Sequence, residues 1–259
     1  MKIAVLQLAI IWEDWNANAK KVAIFAEKAA LVGAELLLLP EMSMFGFSMN
    51  VVKIAKWEEE ICLYFQDLSV EYQLIIGFGY VKQNEEGLGE NHYALAVKGE
   101  IIADYQKIHP FTYGKESQHY SGGTELAFAK IAGHMLGLSI CYDLRFPELY
   151  QALSIDAELL IVAANWPAER RAQWLILLQA RAIENQSFVV GINRVGVGDN
   201  CTYLGDSLVI DPQGKIIAQA GSAEELLFAE IDWELLAKYR QEFPVKGDRK
   251  KELYRKWLK

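Results

Sequence analysis

The run Glu35-Leu36-Leu37-Leu38-Leu39-Pro40 constrains this chain more than any other. Four consecutive leucines leave no position for a solvent-facing side chain, and Pro40 stops the run well short of a useful helix. Such a segment reads as a strand covered on both faces, which calls for helices packed against a sheet. Met1–Ile11 has the same character. Leu74–Tyr80, Leu136–Cys141, Leu159–Ala164 and Phe188–Asn193 read as further strands.

Helical spacing separates them. Val22, Phe25, Ala26, Ala29 and Ala30 make an apolar stripe with Lys20, Lys21, Glu27 and Lys28 opposite. Asn16 or Asn18 is the expected cap of that helix, and Gly33 its end. Residues 53–73, a segment opening at Pro147, Ala172–Asn185 and Trp233–Phe243 read as further helices. Two hairpins are expected: Tyr93–Val97 with Glu100–Gln106, and Leu204–Ile210 with Lys215–Ala220 over Asp211-Pro212-Gln213-Gly214. Strands alternating with helices place the chain in the α/β class. No linker or repeat divides its 259 residues, so one domain, 1–259, is expected. Its core covers about 1–235, with a C-terminal helix and arm over 233–259.

Composition excludes several functions. At 52% hydrophobic and 12% aromatic the chain is too apolar to stay disordered, and a net charge of −8 argues against nucleic-acid binding. Residues 246–259 carry seven basic and two acidic residues, which reads as a solvated arm or one docked on an acidic neighbour. No stretch of eighteen apolar residues predicts a membrane span. Gln7, Glu13 and Asp14 break the opening run where a signal peptide would stay neutral. Three widely spaced cysteines, Cys62, Cys141 and Cys201, indicate neither a disulfide framework nor a zinc ribbon and suit a reducing, cytoplasmic setting.

Chemistry is expected where strands end. Cys141 closes an apolar strand just before a turn and a helix, so backbone N–H groups would surround its sulfur. That segment alone leaves two readings open, a nucleophile or a buried structural thiol. None of the four histidines, His92, His109, His119 and His134, has a metal-like or base-like pattern around it. Glu41 stands at the tip of the leucine run and Lys107 at the end of the strand Ile101–Gln106. Each alone is equally well a surface residue.

Together these segments carry a signature. LLLLPE at 36–41, YQKIHPF at 105–111 and SICYDLRFPE at 139–148 present Glu, Lys and Cys in that order. The chain resembles the nitrilase superfamily of carbon–nitrogen hydrolases over essentially its whole length, including RAIENQ at 181–186 and GDSLVIDPQGKII at 205–217. ANWPAERRAQW at 164–174 is similar to the bacterial omega-amidases within it.

The resemblance implies a four-layer αββα sandwich that pairs into dimers or larger homo-oligomers. It implies a cysteine amidohydrolase with no metal and no organic cofactor, acting on the terminal amide of small dicarboxylic acid monoamides such as α-ketoglutaramate. Glu41 would be the base, Cys141 the nucleophile, and Lys107 with the Tyr142 N–H the oxyanion donors. Glu116, in KESQHYSGG at 115–123, matches the family's second glutamate and would orient Lys107 or the substrate amide. Arg145 would clamp the substrate carboxylate, the alternative being a structural pair with Glu148. Trp166 would wall the pocket. Arg181 and Glu184 are expected to be structural and Asp143 a turn cap. Rival readings are a deaminated-glutathione amidase, a carbamoylase, a nitrilase, or an inactive binding relative. The partner expected is the small amide substrate, with neither nucleic acid nor membrane.

Overall fold

The computed structural model describes residues 1–257. Its first half runs β1 (Lys2–Gln7), α1 (Trp15–Leu31), β2 (Leu36–Leu38), α2 (Val51–Ala55), α3 (Glu58–Glu71), β3 (Ile75–Gln83), β4 (Gly89–Val97), β5 (Glu100–Gln106), β6 (Tyr120–Ser121) and β7 (Phe128–Ile131). Then come β8 (His134–Ile140), α4 (Pro147–Leu153), β9 (Leu159–Ala163), α5 (Arg171–Asn185), β10 (Phe188–Ile192), β11 (Val195–Gly198) and β12 (Cys201–Leu204). The chain closes with β13 (Leu208–Ile210), β14 (Ile216–Gln219), β15 (Glu225–Glu230), α6 (Trp233–Glu242) and α7 (Lys251–Trp257).

Two sheets carry the fold. One has the order β15-β1-β2-β3-β4-β5, with β6 beside β4; the other has β14-β13-β10-β9-β8-β7. The leucine run shows why they need cover on both sides. Leu36 and Leu38 face the second sheet, meeting Leu138, Ile140, Ile161 and Val190 in the central layer. Leu37 and Leu39 face outward onto Val22, Ala26 and Phe65 of α1 and α3. In the second sheet Leu159, Ile161 and Ala163 point to the centre. Leu160 and Val162 point to Leu149, Leu153, Trp174 and Leu178 of α4 and α5. The result is the αββα sandwich expected, with three apolar layers between four structural ones.

Several local expectations are corrected. Asp14, not Asn16 or Asn18, caps α1, accepting from Ala17 N–H at 3.0 Å. Asn18 is buried and ties Ile11 to Met44 through three hydrogen bonds. The helix expected over 53–73 is two helices that break at Lys56-Trp57, where Trp57 stacks on Trp15 at 5.9 Å. Glu58, Glu59 and Glu60 then occupy the first turn of α3, where negative charge is favoured.

The strand expected over Leu204–Ile210 is interrupted at Gly205 and Asp206, both with positive φ. There the chain leaves the β11–β12 hairpin and enters the second sheet as β13. Gly205 holds φ +75°, and a Cβ there would come within 2.2 Å of the Gln7 side-chain amide, so any other residue would strain the backbone and displace Gln7.

The basic C-terminal segment is only partly a free arm. Lys246 donates to Ser154 O past the end of α4, and Arg249 to Glu184 O near the end of α5. The docking partners are helix-terminal carbonyls, which favour cations. α7, beyond the expected last helix, is exposed.

Candidate active site

Four strand ends converge. Glu41 follows β2 past Pro40, Lys107 follows β5, Cys141 follows β8 and Asn165 follows β9. β2 and β3 are parallel, and two successive antiparallel pairings bring β5 back to the direction of β2. β8 and β9 are parallel in the other sheet. These are therefore carboxyl ends, where α/β folds open a crevice.

The first sheet contributes a buried ionic cluster. Lys107, Glu41 and Glu116 have at most 1% of their surface exposed. Lys107 Nζ donates to Glu41 Oε1 at 3.1 Å and to Glu116 at 2.8 and 3.0 Å. Asn91, from β4, donates Nδ2 to Glu41 Oε1 at 2.8 Å and to Glu116 Oε1 at 3.3 Å. Glu41 Oε2 accepts from the Asn165 backbone N–H at 2.8 Å. Burial works against the Lys107 ammonium, but Glu116 and Glu41 outweigh it and raise it well above its ordinary range. Lys107 is therefore a permanent cation between two carboxylates.

Tight backbone packing sets this geometry. Gly79 of β3 lies against the Glu41–Met42 peptide, and a Cβ there would meet Met42 N at 2.3 Å. Ser43 locks the approach, with Ser43 N–H donating to Gly79 O and Gly79 N–H donating to Ser43 Oγ. The loop carrying Glu116 returns beside β5, where Gly123 N–H donates to Lys107 O at 2.9 Å.

The second sheet contributes the thiol. Cys141 adopts φ +47°, a left-handed conformation that a non-glycine residue holds only when its surroundings enforce it. Asp143 does the enforcing. It caps the turn as expected, accepting from Ile140 N–H at 2.9 Å. It also accepts from Tyr105 Oη at 2.8 Å and His109 N–H at 3.1 Å, and lies 2.8 Å from His109 Nδ1. The turn after Cys141 is thus fastened to the end of β5 and to the residues following Lys107. Arg181 braces the turn from outside through two bonds to Leu144 O while pairing with Glu184, the structural role expected of both.

Burial pushes the Cys141 thiol well above its usual range. The negative charge of Glu41 pushes the same way and Lys107 pulls back. The resting group is therefore a thiol, and a base is needed to make it a nucleophile.

The thiol opens onto a cavity of about 320 Å³ whose lining includes Lys107, Tyr142, Arg145, Asn165 and Trp166. Trp166 is held by Nε1–H to Arg170 O at 2.8 Å and by its N–H to Asn193 Oδ1. Arg145 lies 5.1 Å over the Trp166 ring and donates to Gln173 at 3.2 Å. It has no carboxylate within 4.0 Å among the described residues, so the alternative pair with Glu148 is not formed.

All seven residues expected at the site lie together: Glu41, Lys107, Glu116 and Cys141 at its base, and Tyr142, Arg145 and Trp166 around the cavity. Sequence reasoning missed Asn91, Asn165 and Tyr105, and found no role for His109. Asn165 carried a usable signal, because it ends a buried strand just as Glu41 does. Asn91 lies inside a strand, where nothing marks it.

The sequence matches the carbon-nitrogen hydrolase family over residues 2–241. It is 35% identical to omega-amidase YafV of Escherichia coli K12, over 96% of each chain. It is 33% identical to the 2-oxoglutaramate amidase of Bacillus subtilis, over 97% of this chain and 98% of the relative. Among solved structures it is similar to XC1258 of Xanthomonas campestris, a CN-hydrolase superfamily protein with an arsenic adduct in its active site. That comparison has a TM-score of 0.91 and 30% identity, covering 96% of this chain and 97% of the other.

Proposed function

The chain belongs to the carbon–nitrogen hydrolase family, which makes it a hydrolase of non-peptide carbon–nitrogen bonds in linear amides. From that premise we propose that it is an omega-amidase, releasing ammonia from the terminal amide of small dicarboxylic acid monoamides such as α-ketoglutaramate through a thioester on Cys141. One observation carries the reading. A raised, uncharged thiol lies at the base of a cavity beside a carboxylate already held by lysine, while an arginine in the same cavity has no carboxylate partner among the described residues.

Glu41 takes the proton of Cys141, and the thiolate adds to the amide carbonyl. The proton moves within the cluster, so its buried net charge does not change. Lys107 and the Tyr142 N–H stabilise the oxyanion. Glu41 passes the proton to the nitrogen, the carbon–nitrogen bond breaks and ammonia leaves. Glu41 then takes a proton from water, which attacks the thioester, and the acid and free thiol are restored. Glu116 holds Lys107 in place throughout. Arg145 receives the far carboxylate, its planar fork suited to a bidentate pair. Trp166 fixes the plane over which Arg145 lies.

Cytoplasmic action and homodimer formation belong to the same proposal. Three unpaired cysteines support the first, and Ile176 and Ile183, exposed on α5, support the second.

Ammonia release from a substrate panel tests the reading. α-Ketoglutaramate should exceed a neutral amide of equal length, a nitrile and an N-carbamoyl acid. Preference for the nitrile or the carbamoyl compound would assign the chain to another branch of the family.

A further inference from the structure

Arg170 and Arg171 are adjacent in the sequence and differ in what they meet. Arg171 is committed to structure, its Nε and Nη2 donating to the two carboxylate oxygens of Asp206 at 2.6 and 2.7 Å. The Arg170 guanidinium makes no hydrogen bond among the described residues, and the one carboxylate within 4.0 Å among them is Glu169, at 3.8 Å. The Glu169 side chain is 82% exposed, and an ion pair so placed contributes little. Yet Arg170 lines the cavity that holds Cys141, with only 25% of its side chain exposed.

Aromatic rings set where its charge lies. The guanidinium is 5.3 Å over Phe111, a ring that also lines the cavity and stands 4.9 Å from Tyr142. Arg145 lies 6.0 Å over the same Tyr142 and 5.1 Å over Trp166, whose indole N–H donates to Arg170 O. One aromatic frame therefore carries two guanidiniums at one cavity. A cation held by a ring face keeps its N–H groups free to donate.

The proposed substrate has three polar groups. Its amide goes to Cys141 and its carboxylate to Arg145, which leaves the 2-oxo oxygen, an acceptor on the carbon next to the carboxylate. We infer that Arg170 donates to this 2-oxo oxygen, making Arg170 the residue that selects amides of 2-oxo acids over amides of 2-amino acids. The inference rests on the proposed omega-amidase reading and deepens it. Glutamine has the same length, carboxylate and scissile amide as α-ketoglutaramate, but its ammonium would meet both guanidiniums, and like charges so opposed are strongly disfavoured. Asp199 also lines the cavity and would be the acceptor for an ammonium. It is exposed, in the turn between β11 and β12, where solvent and salt screen its charge.

The test measures kcat/KM for three amides of equal length: α-ketoglutaramate, glutamine, and glutaramate, which has the carboxylate but no 2-oxo group. Wild type should favour α-ketoglutaramate over glutamine by at least roughly 100-fold. Arg170→Gln should lower kcat/KM for α-ketoglutaramate roughly 10- to 100-fold more than for glutaramate, and should narrow the gap to glutamine. Arg145→Ala should instead lower α-ketoglutaramate and glutaramate together, since both carry the carboxylate. Equal losses on those two substrates in Arg170→Gln would make Arg170 a support of the aromatic frame and overturn the inference. So would wild-type turnover of glutamine equal to that of α-ketoglutaramate, a result that needs no folded variant. Absence of ammonia release from all three by wild type would defeat the proposed function, and the inference with it.

Discussion

Glu116 grips Lys107 with both carboxylate oxygens, at 2.8 and 3.0 Å, where each residue has at most 1% of its surface exposed. Lys107 is the cation common to Glu116 and Glu41. Lys107→Met therefore removes more than an oxyanion donor. It leaves two carboxylates buried together with no cation between them. Loss of the donor should reduce kcat by roughly two to three orders of magnitude. Loss of the ion pairs should cost about 3–5 kcal/mol of stability. Denaturant melts and steady-state kinetics check both. Near-normal kcat with only a raised KM would mean that Lys107 contributes uniform substrate binding instead.

Arg145→Ala tests how the substrate is read. Among the described residues its guanidinium has only Gln173 and two aromatic faces as partners, so its removal leaves no charge among them unpaired. For a substrate whose carboxylate it meets, the loss should be about 2–5 kcal/mol of transition-state stabilisation. The ratio of kcat/KM for α-ketoglutaramate to that for a neutral amide of equal length should fall steeply. An unchanged ratio, with both activities reduced together, would show that Arg145 supports the loop alone.

Tyr105 joins the two halves of the site, its hydroxyl donating to Asp143 at 2.8 Å and facing Ile108 N–H at 3.3 Å. Tyr105→Phe keeps the ring in the central apolar layer but takes a donor from a buried carboxylate. The expected loss is about 1.5–3 kcal/mol, the range for hydrogen bonds to charged groups. A smaller fall in kcat should accompany it as the turn holding Cys141 loosens. Unchanged thermal stability would contradict the role given to Asp143 as the fastening of that turn.

Lys246 gives a pH-dependent prediction away from the site. Burial, with Arg240 and Arg249 nearby, lowers its ammonium to about 7 from an ordinary 10.5. Below pH 7 both folded and unfolded chains carry the charge, and the folded state bears the full penalty. Between those two values the unfolded chain holds a proton that the folded chain has released, so stability rises with pH. Lys246→Met removes this dependence. The melting temperature of wild type relative to the variant should therefore increase from about pH 6 to about pH 10. A difference that stays flat would place the Lys246 ammonium near its ordinary value.

The sequence exposed those parts of the fold where burial was one-dimensional. Leu36–Leu39 could only be a doubly covered strand, and a charge immediately after such a run, as at Glu41, has few places to go. Cys141 and Lys107 were legible for the same reason, and the order Glu, Lys, Cys joined them. Breaks caused by distant contacts were hidden. The kink at Lys56-Trp57 accompanies stacking on Trp15, and the interruption at Gly205 follows from Gln7, two hundred residues away in the chain. Asn91 was hidden inside its strand, and Asn165 was marked only by its place after a buried strand, because a neutral amide looks alike whether it braces a catalytic carboxylate or a turn. Only the three-dimensional placement of their donors distinguishes the two.

The central claim is that Cys141 carries the acyl group of the substrate. Brief reaction with the best amide substrate, acid quenching and peptide mapping by mass spectrometry test it directly. The account predicts one added acyl group on the peptide containing Cys141, none on those containing Cys62 or Cys201, and none at all in Cys141→Ala, which should fold normally and release no ammonia. An acyl group on Cys62 or Cys201, or ammonia release that survives in Cys141→Ala, would contradict it.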